Sequence, residues 1–252
     1  MGMRWLALLF FVLPAISMAG QCTAESGPGT SALVELYTSE GCSSCPPADR
    51  WLASLAGRSR AGSVVPLALH VDYWDYIGWK DPYAKREFSL RQRKFSQLQR
   101  MALVYTPQVL LQGRDFRAWG GKAFDEALAK INAQPARAKL RLAVVTADRD
   151  ALEVEAIAEL VQPSADAGLY LAAYRSRLES RVQAGENRGR LLTHDYVVLE
   201  WHGPFAFAGK TLTERRKVPL LPGAAPANSG VAAFVQDRRT GEVLQALLRS
   251  TC

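Results

Sequence analysis

Four cysteines are the residues of this 252-residue chain that could carry chemistry, namely Cys22, Cys42, Cys45 and Cys252. Cys42 and Cys45 are separated by two residues, a spacing that lets two thiols form a reversible disulfide. The thiolate is the nucleophile in such exchange, and the start of a helix stabilises it. The chemistry therefore depends on whether a helix begins at this pair.

The residues around the pair predict a strand before it and a helix after it. The segment 32–38 is short and apolar, as is typical of a buried strand. Pro46 opens a stretch in which apolar residues recur with helical spacing as far as Gly57, and proline is tolerated in the first helical turn. This order predicts that Cys42 attacks a substrate and that Cys45 resolves the mixed disulfide.

The elements that follow alternate as far as Pro135 and then change character. Apolar and turn patterns predict, in order, a strand at 66–71, a helix at 82–101, a hairpin at 108–118 and a closing helix around 124–131. After residue 136, turn residues recur at short intervals and few long helical patterns appear, which is typical of an antiparallel sandwich. We therefore predict one domain over 32–135 and a second, a mainly antiparallel β-sandwich, over 136–252.

Three long strings carry a resemblance to DUF1223, a family of secreted bacterial proteins of uncharacterised function. They are residues 34–49, the segment from His70 through Pro82, and residues 185–189 with Leu192 and His194. Residues 32–134 also resemble the thioredoxin fold. The resemblance implies that the first domain is α/β and thioredoxin-like, and it bears on fold and location more than on activity.

The thioredoxin resemblance implies two further catalytic residues. Pro107, which opens the strand after Thr106, fits the cis-proline found opposite the active site. The backbone of Thr106 would then pair with an incoming peptide strand. Glu35 fits a buried acid that takes the proton from the resolving thiol; the alternative is a surface-facing glutamate on an alternating strand.

Two segments near the pair remain open to interpretation. The aromatic stretch with Tyr73 and Trp74 follows the second strand, at the sheet edge where ligands bind, so we predict that both contact substrate. The alternative is a plug packed under the following basic helix. Ser43 and Ser44 can donate hydrogen bonds to the Cys42 thiolate and stabilise the reduced form, but the direction of electron flow stays open.

The N-terminus predicts export. A positive Arg4, an apolar run from Trp5 to Val12 and a small-residue stretch ending at Ala19 form the pattern of a secretory signal peptide over 1–19. The run is too short to span a bilayer, so we expect no stable membrane insertion after cleavage. Residues 20–31 read as a polar leader. The expected location is periplasmic or secreted, where disulfides persist.

Two of the three possible cysteine pairings would tie the close Cys42 and Cys45 to opposite ends of the chain. The remaining choice pairs Cys42 with Cys45 and Cys22 with Cys252 as a structural disulfide. Chain termini often lie close together, which makes the second bridge plausible.

Much of the net charge of +7 comes from the segment between Lys80 and Arg100. No aromatic or glycine interleaving marks a nucleic-acid module there, so we expect a solvated helix face and no nucleic-acid partner. The leading hypothesis is thiol-disulfide exchange with the thiols or disulfides of exported proteins and with an unidentified redox partner, without a cofactor or metal. The alternatives are a Cu or Zn carrier that uses the cysteine pair, and a binding module in which the pair is only a structural disulfide.

Overall fold

A computed structural model describes residues 22–148, 151–219 and 228–251. Within these residues the chain forms strands, four α-helices and one 3₁₀ helix. The strands are β1 (Cys22–Glu25), β2 (Ala32–Thr38), β3 (Val64–His70), β4 (Gln108–Leu111), β5 (Arg114–Asp115), β6 (Ala138–Asp148), β7 (Ala151–Leu160), β8 (Ala167–Arg175), β9 (Leu178–Arg181), β10 (Leu191–His194), β11 (Val197–Ala206), β12 (Thr211–Pro219), β13 (Ser229–Asp237) and β14 (Val243–Ser250). The α-helices are α1 (Pro46–Ser54), α2 (Ala56–Arg60), α3 (Arg86–Leu98) and α4 (Lys122–Asn132), and the 3₁₀ helix is Asp72–Ile77.

An eight-stranded sheet runs through both halves of the chain, in the order β14-β13-β8-β11-β3-β2-β4-β5. Strands β2 and β3 are parallel, and β11 adds to β3 in parallel through Val197 and Ala68. The other neighbours in this sheet are antiparallel. β2 and β3 are buried along their whole length, which explains their continuous apolar sequences.

Helices cover both faces of the β2–β3 part of the sheet. Val34 and Leu36 of β2 pack with residues of α1 and α4, whereas Leu33 and Tyr37 pack with Phe88 and Phe95 of α3. This division follows from the two-residue period of a strand. A third core lies between β8, β13 and β14 and a separate sheet of order β1-β6-β7-β12.

The predicted α/β thioredoxin-like N-terminal domain is wrong as a fold class. Strands hold 44% of the structure and helices 21%, so the protein is β-rich. The parallel β2–β3 pair is one part of a long mixed sheet, because β11, β8, β13 and β14 extend it from the edge of β3. The second half of the chain was expected to form a separate β-sandwich. Its strands β8, β11, β13 and β14 instead belong to the same sheet as β2 and β3. The domain boundary at 135–136 falls between α4 and β6 and stays a prediction.

The leader expected at 20–31 contains a strand. β1 pairs antiparallel with β6, with Cys22 opposite Val144. The four-residue sequence of β1 is too short and too polar to predict a strand. The proposed signal peptide and its cleavage site at Ala19 lie outside the described residues. No helix in the described part of the chain has the length and apolar character needed to cross a membrane.

Candidate functional site

The cysteine pair lies where β2 gives way to α1. Cys42 and Cys45 form a disulfide with their Cα atoms 5.4 Å apart, which confirms the predicted pairing. Cys45 is the N-cap of α1, and Pro46 occupies the first turn, as the sequence predicts. The N–H of Cys45 donates to the carbonyl of Cys42 at 3.2 Å, which closes the turn at the start of the helix. The pair therefore lies at the N-terminus of α1, where the helix dipole favours a thiolate.

Both cysteines are covered in the oxidised protein. The exposed fraction is 1% for Cys42 and 0% for Cys45, whereas the intervening Ser43 and Ser44 are exposed. The hydroxyl of Ser44 lies 3.3 Å from Cys42 Sγ. A thiol in solution can reach Cys42 only if the segments around it open locally.

Gly41 lets the 3₁₀ helix pack against the cysteine loop. A Cβ at this position would lie 3.1 Å from Cβ of Trp74 and 3.2 Å from Cδ1 of Ile77. A larger residue would push that helix away, so glycine before the first cysteine is a packing requirement of this site.

A loop from the second half of the chain holds the other side of the pair. It connects β9 and β10, which pair as a two-stranded sheet. The side-chain amide of Asn187 is fully buried and donates to the carbonyls of Glu40 at 2.8 Å and Cys42 at 3.0 Å. Oε2 of Glu186 accepts a hydrogen bond from the N–H of Ser43 at 3.0 Å. The conformation of the cysteine loop therefore depends on residues that lie more than 140 positions away in the sequence.

A buried cluster of five ionisable side chains lies next to this loop. Its members are Glu40, Asp49, His70, Asp81 and His194. Glu40 Oε1 lies 3.2 Å from Nε2 of His194, and its Oε2 accepts a hydrogen bond from the Trp79 indole at 2.7 Å. The two histidine rings meet edge to face with centroids 5.0 Å apart.

His70 and Asp81 form the closest ion pair of this cluster, with Nδ1 and Oδ2 2.7 Å apart. Burial by itself disfavours the charged imidazole, but the adjacent Asp81 carboxylate outweighs it and raises the pKa of His70. Burial likewise opposes the charged form of Asp81, yet the charge and hydrogen bond of His70 lower the pKa of that carboxyl. His70, at the end of β3, is thus half of a buried ion pair.

Asp49 is the acid of the cluster closest in sequence to Cys45. It lies one helical turn later on α1, and the N–H of Asp49 donates to the carbonyl of Cys45 at 3.1 Å. Residues i and i+4 share a helix face. The carboxylate accepts a hydrogen bond from Thr38 Oγ1 at 2.9 Å and lies 3.7 Å from Nδ1 of His194. Burial raises the pKa of Asp49, and the positive charges of His194 and His70 oppose this.

Glu35 is placed away from the cysteine pair, contrary to the expected role as its proton acceptor. Its side chain points to the face of β2 that carries α3, opposite the face covered by α1. Oε1 and Oε2 accept hydrogen bonds from Nε and Nη2 of Arg91 at 2.6 and 3.1 Å. The guanidinium also lies 4.6 Å from the ring centre of Trp201. The sequence predicted either a buried base for Cys45 or a surface residue. Glu35 is instead buried in an ion pair with Arg91.

The predicted substrate-contacting residues do gather at the same sheet edge as the cysteines. The Thr106–Pro107 peptide bond is cis, and β4 begins directly after it, with Gln108 opposite Tyr37 of β2. The indole N–H of Trp74 donates to Oγ1 of Thr106 at 2.7 Å. Tyr73 and Trp74 are half-buried and pack against the α3 core, so the packing alternative describes part of their role.

A cavity of about 580 Å³ opens beside Pro107. Its wall includes Leu103, whose side chain is largely exposed, together with Arg117 and Trp119.

Two further features considered in the sequence analysis are the Cys22–Cys252 bridge and a metal site. Cys252 lies outside the described residues, so the Cys22–Cys252 bridge stays a prediction. Across residues 22–148, 151–219 and 228–251, no group of three or more His, Cys, Asp or Glu side chains is arranged to hold a metal ion.

Sequence reasoning missed the residues that surround the pair. Glu40, Glu186, Asn187 and His194 all lie in the strings that carry the family resemblance, but no chemistry was assigned to them. The only available signal was that resemblance, because none of these residues forms a recognisable motif with the cysteines.

Comparisons with known proteins match the chain to one family and its fold to solved structures. A family profile described as "Protein of unknown function (DUF1223)" matches residues 33–236. Protein AGR_C_4864 from Agrobacterium tumefaciens is 25% identical, with a TM-score of 0.64, over 89% of this chain and 96% of its own. HBP35 of Porphyromonas gingivalis is 15% identical, with a TM-score of 0.67, over 89% of this chain and 76% of its own, and it shows likeness of fold alone. No curated protein matches the chain.

Proposed function

We propose that this chain, which belongs to the DUF1223 family, is an exported protein that exchanges thiols and disulfides through Cys42 and Cys45. One observation carries the proposal: the Cys42–Cys45 disulfide lies at the start of α1, and a buried acid, Asp49, follows one turn behind it. Its substrates are the thiols or disulfides of other exported proteins. The exchange requires no cofactor.

The exchange balances in two steps. A substrate thiolate attacks Cys42 Sγ, a mixed disulfide forms, the Cys42–Cys45 bond breaks, and Cys45 leaves as a thiolate that takes up a proton. A second substrate thiolate then attacks the substrate sulfur of the mixed disulfide, and Cys42 leaves as a thiolate at the helix N-terminus. The substrate is oxidised and the pair is reduced; the reverse sequence reduces a substrate disulfide.

Asp49 is the proton carrier in this proposal. Burial raises the pKa of the Asp49 carboxyl, which makes it a better proton acceptor than an exposed carboxylate. Its position one turn after Cys45 supports proton transfer with that sulfur. Ser44 supports the other sulfur, since its hydroxyl can donate to the Cys42 thiolate from 3.3 Å and stabilise the reduced form.

The burial of both cysteines favours a second candidate, a binding module in which the disulfide is a structural staple. The two functions differ in whether the Cys42–Cys45 disulfide can be reduced while the protein stays folded. An exchange protein must open the loops around Cys42 at low cost, whereas a staple remains protected until the protein unfolds.

Reduction kinetics of the native protein distinguish them. The oxidised protein is incubated with millimolar dithiothreitol, and free thiols are counted by alkylation and mass spectrometry while circular dichroism follows the fold. Reduction of Cys42–Cys45 with the fold intact supports exchange. Resistance of that disulfide until global unfolding would establish the staple.

A trapping variant tests the substrates. Cys45→Ser should hold partners as mixed disulfides on Cys42 in cell-envelope extracts, and Cys42→Ser is the matched control, since it lacks the attacking sulfur. Equal recovery of partners by both variants would count against the assigned roles.

A further inference from the structure

Glu186 places a negative charge against the loop that carries the cysteine pair. Its Oε2 lies 3.0 Å from the backbone nitrogen of Ser43, the residue next to Cys42. Hydrogen bonds from the side chain and backbone of Ser43 lower the pKa of Glu186, so the carboxylate is ionised at neutral pH. The side chain of Glu186 and the adjacent Ser43 are both exposed, so this charge lies at the surface beside the residue that follows Cys42.

The backbone around Glu186 makes this position well defined. Gly185 has φ +71°, a backbone conformation that favours glycine, and a Cβ there would lie 2.9 Å from Cδ1 of Ile77. The next residue, Asn187, anchors the loop to the carbonyls of Glu40 and Cys42. The N–H of Gly189 closes the loop on the carbonyl of Val182 at 2.8 Å.

Neighbouring basic residues do not form the contact with the cysteine loop. Nη1 of Arg190 donates to Oδ1 of Asn187 at 3.0 Å, on the far side of the amide that holds Cys42. Arg188 is exposed, and its N–H bonds back to Gly185. The carboxylate of Glu186 is the charged group of this loop that touches the Cys42–Cys45 segment.

We propose that Glu186 is a specificity-determining residue. It makes the cysteine pair react more slowly with anionic thiols and disulfides than with neutral or cationic ones. The inference rests on the proposed exchange function. In the exchange, the Cys42 thiolate bonds to one sulfur of a disulfide while the other sulfur leaves as a thiolate, and Cys45 then displaces the bound sulfur. A carboxylate beside Cys42 raises the barrier when the incoming group is negative and lowers it when that group is positive.

The test uses three small disulfides of different charge with the fully reduced, full-length protein. The probes are dithiobis(nitrobenzoate), which is anionic, bis(hydroxyethyl) disulfide, which is neutral, and cystamine, which is cationic. Glu186→Gln keeps an oxygen that accepts from Ser43 but removes the charge. Relative to the neutral probe, it should speed the anionic reaction about threefold and slow the cationic reaction by a similar factor. Both changes should shrink in about 1 M salt.

Two controls make the result specific. Glu179→Gln removes an exposed carboxylate from β9 of the same hairpin and should leave the three rates in their original ratio. Glu186→Asp keeps the charge and should retain the wild-type order of probes. An equal change with all three probes, or the same shift in Glu179→Gln, overturns the specificity role. If the wild-type pair reacts with none of the probes, the exchange function itself fails.

Discussion

Asn187 donates a hydrogen bond to the carbonyl of Cys42 at 3.0 Å across 145 residues of sequence. The same amide group reaches Glu40, two residues earlier, so one buried side chain holds both ends of the turn that leads into the cysteine pair. A buried carbonyl that loses its donor carries a desolvation cost. The conformation of the cysteine loop therefore depends on the β9–β10 hairpin as well as on the start of α1.

Asn187→Ala should loosen the cysteine loop. We expect a loss of about 2 kcal/mol in the free energy of unfolding, because two buried carbonyls lose their donor. Reduction of Cys42–Cys45 by dithiothreitol should accelerate about tenfold, since opening becomes easier by about 1.4 kcal/mol. Urea unfolding and thiol counting measure the two effects.

Asn132→Ala is the matched control for that variant. The amide of Asn132 also bridges two carbonyls, those of Thr30 and Ser63, both at 2.8 Å, but away from the cysteines. It should destabilise the protein without changing the reduction rate of the native disulfide. Equal acceleration in both variants would show that the rate follows global stability.

Asp49→Asn should slow thiol-disulfide exchange by about tenfold to a hundredfold at neutral pH, because Cys45 loses its proton carrier. Single-turnover rates with a neutral disulfide, measured as a function of pH, give the effect and its pH dependence. Asp125→Asn changes an exposed acid on α4 and should leave the profile unchanged. An unaltered profile in Asp49→Asn would remove Asp49 from the proposed reaction.

Glu35→Gln should destabilise the protein by about 3 to 5 kcal/mol, because it leaves the guanidinium of Arg91 buried without its counter-charge. The exposed side-chain fractions are 0% for Glu35 and 10% for Arg91. The Arg58–Asp125 pair has the same 2.6 Å N–O distance, but its side chains are 44% and 56% exposed. Asp125→Asn should therefore cost at most about 1 kcal/mol. Similar losses in chemical denaturation would contradict the importance of burial.

Asp81→Asn should change how stability depends on pH. The raised pKa of His70 means that its contribution is complete below about pH 6.5 and is lost as the pH rises through the folded value. The lowered pKa of Asp81 means that its contribution is complete above about pH 4 and is lost as the pH falls through the folded value. The difference in unfolding free energy between wild type and variant should be largest between these limits. A difference that is constant from acid to alkaline pH would argue against a charged pair.

Local patterns were sufficient to predict the elements that carry the cysteines. The apolar run 32–38 is strand β2, and the helix predicted after Pro46 is α1. Both follow from short-range spacing and from the backbone restrictions of proline. The alternation of β2 also implies that Glu35 faces away from Val34 and Leu36, but it does not say which face α1 covers. Because α1 covers the opposite face, Glu35 contacts Arg91 of α3 and not the cysteines.

By itself, the sequence determined a Cys-x-x-Cys disulfide at a strand-to-helix junction and membership of the family that shares its long motifs. The tertiary structure decided the rest: that β11 joins β3 to make one β-rich sheet, that Asn187 and Glu186 hold the cysteine loop, and that Asp49, instead of Glu35, lies one helical turn from Cys45. Strand and helix periods are encoded by neighbouring residues, whereas the partner of a buried polar group is chosen by whichever distant segment the complete fold brings within hydrogen-bonding distance.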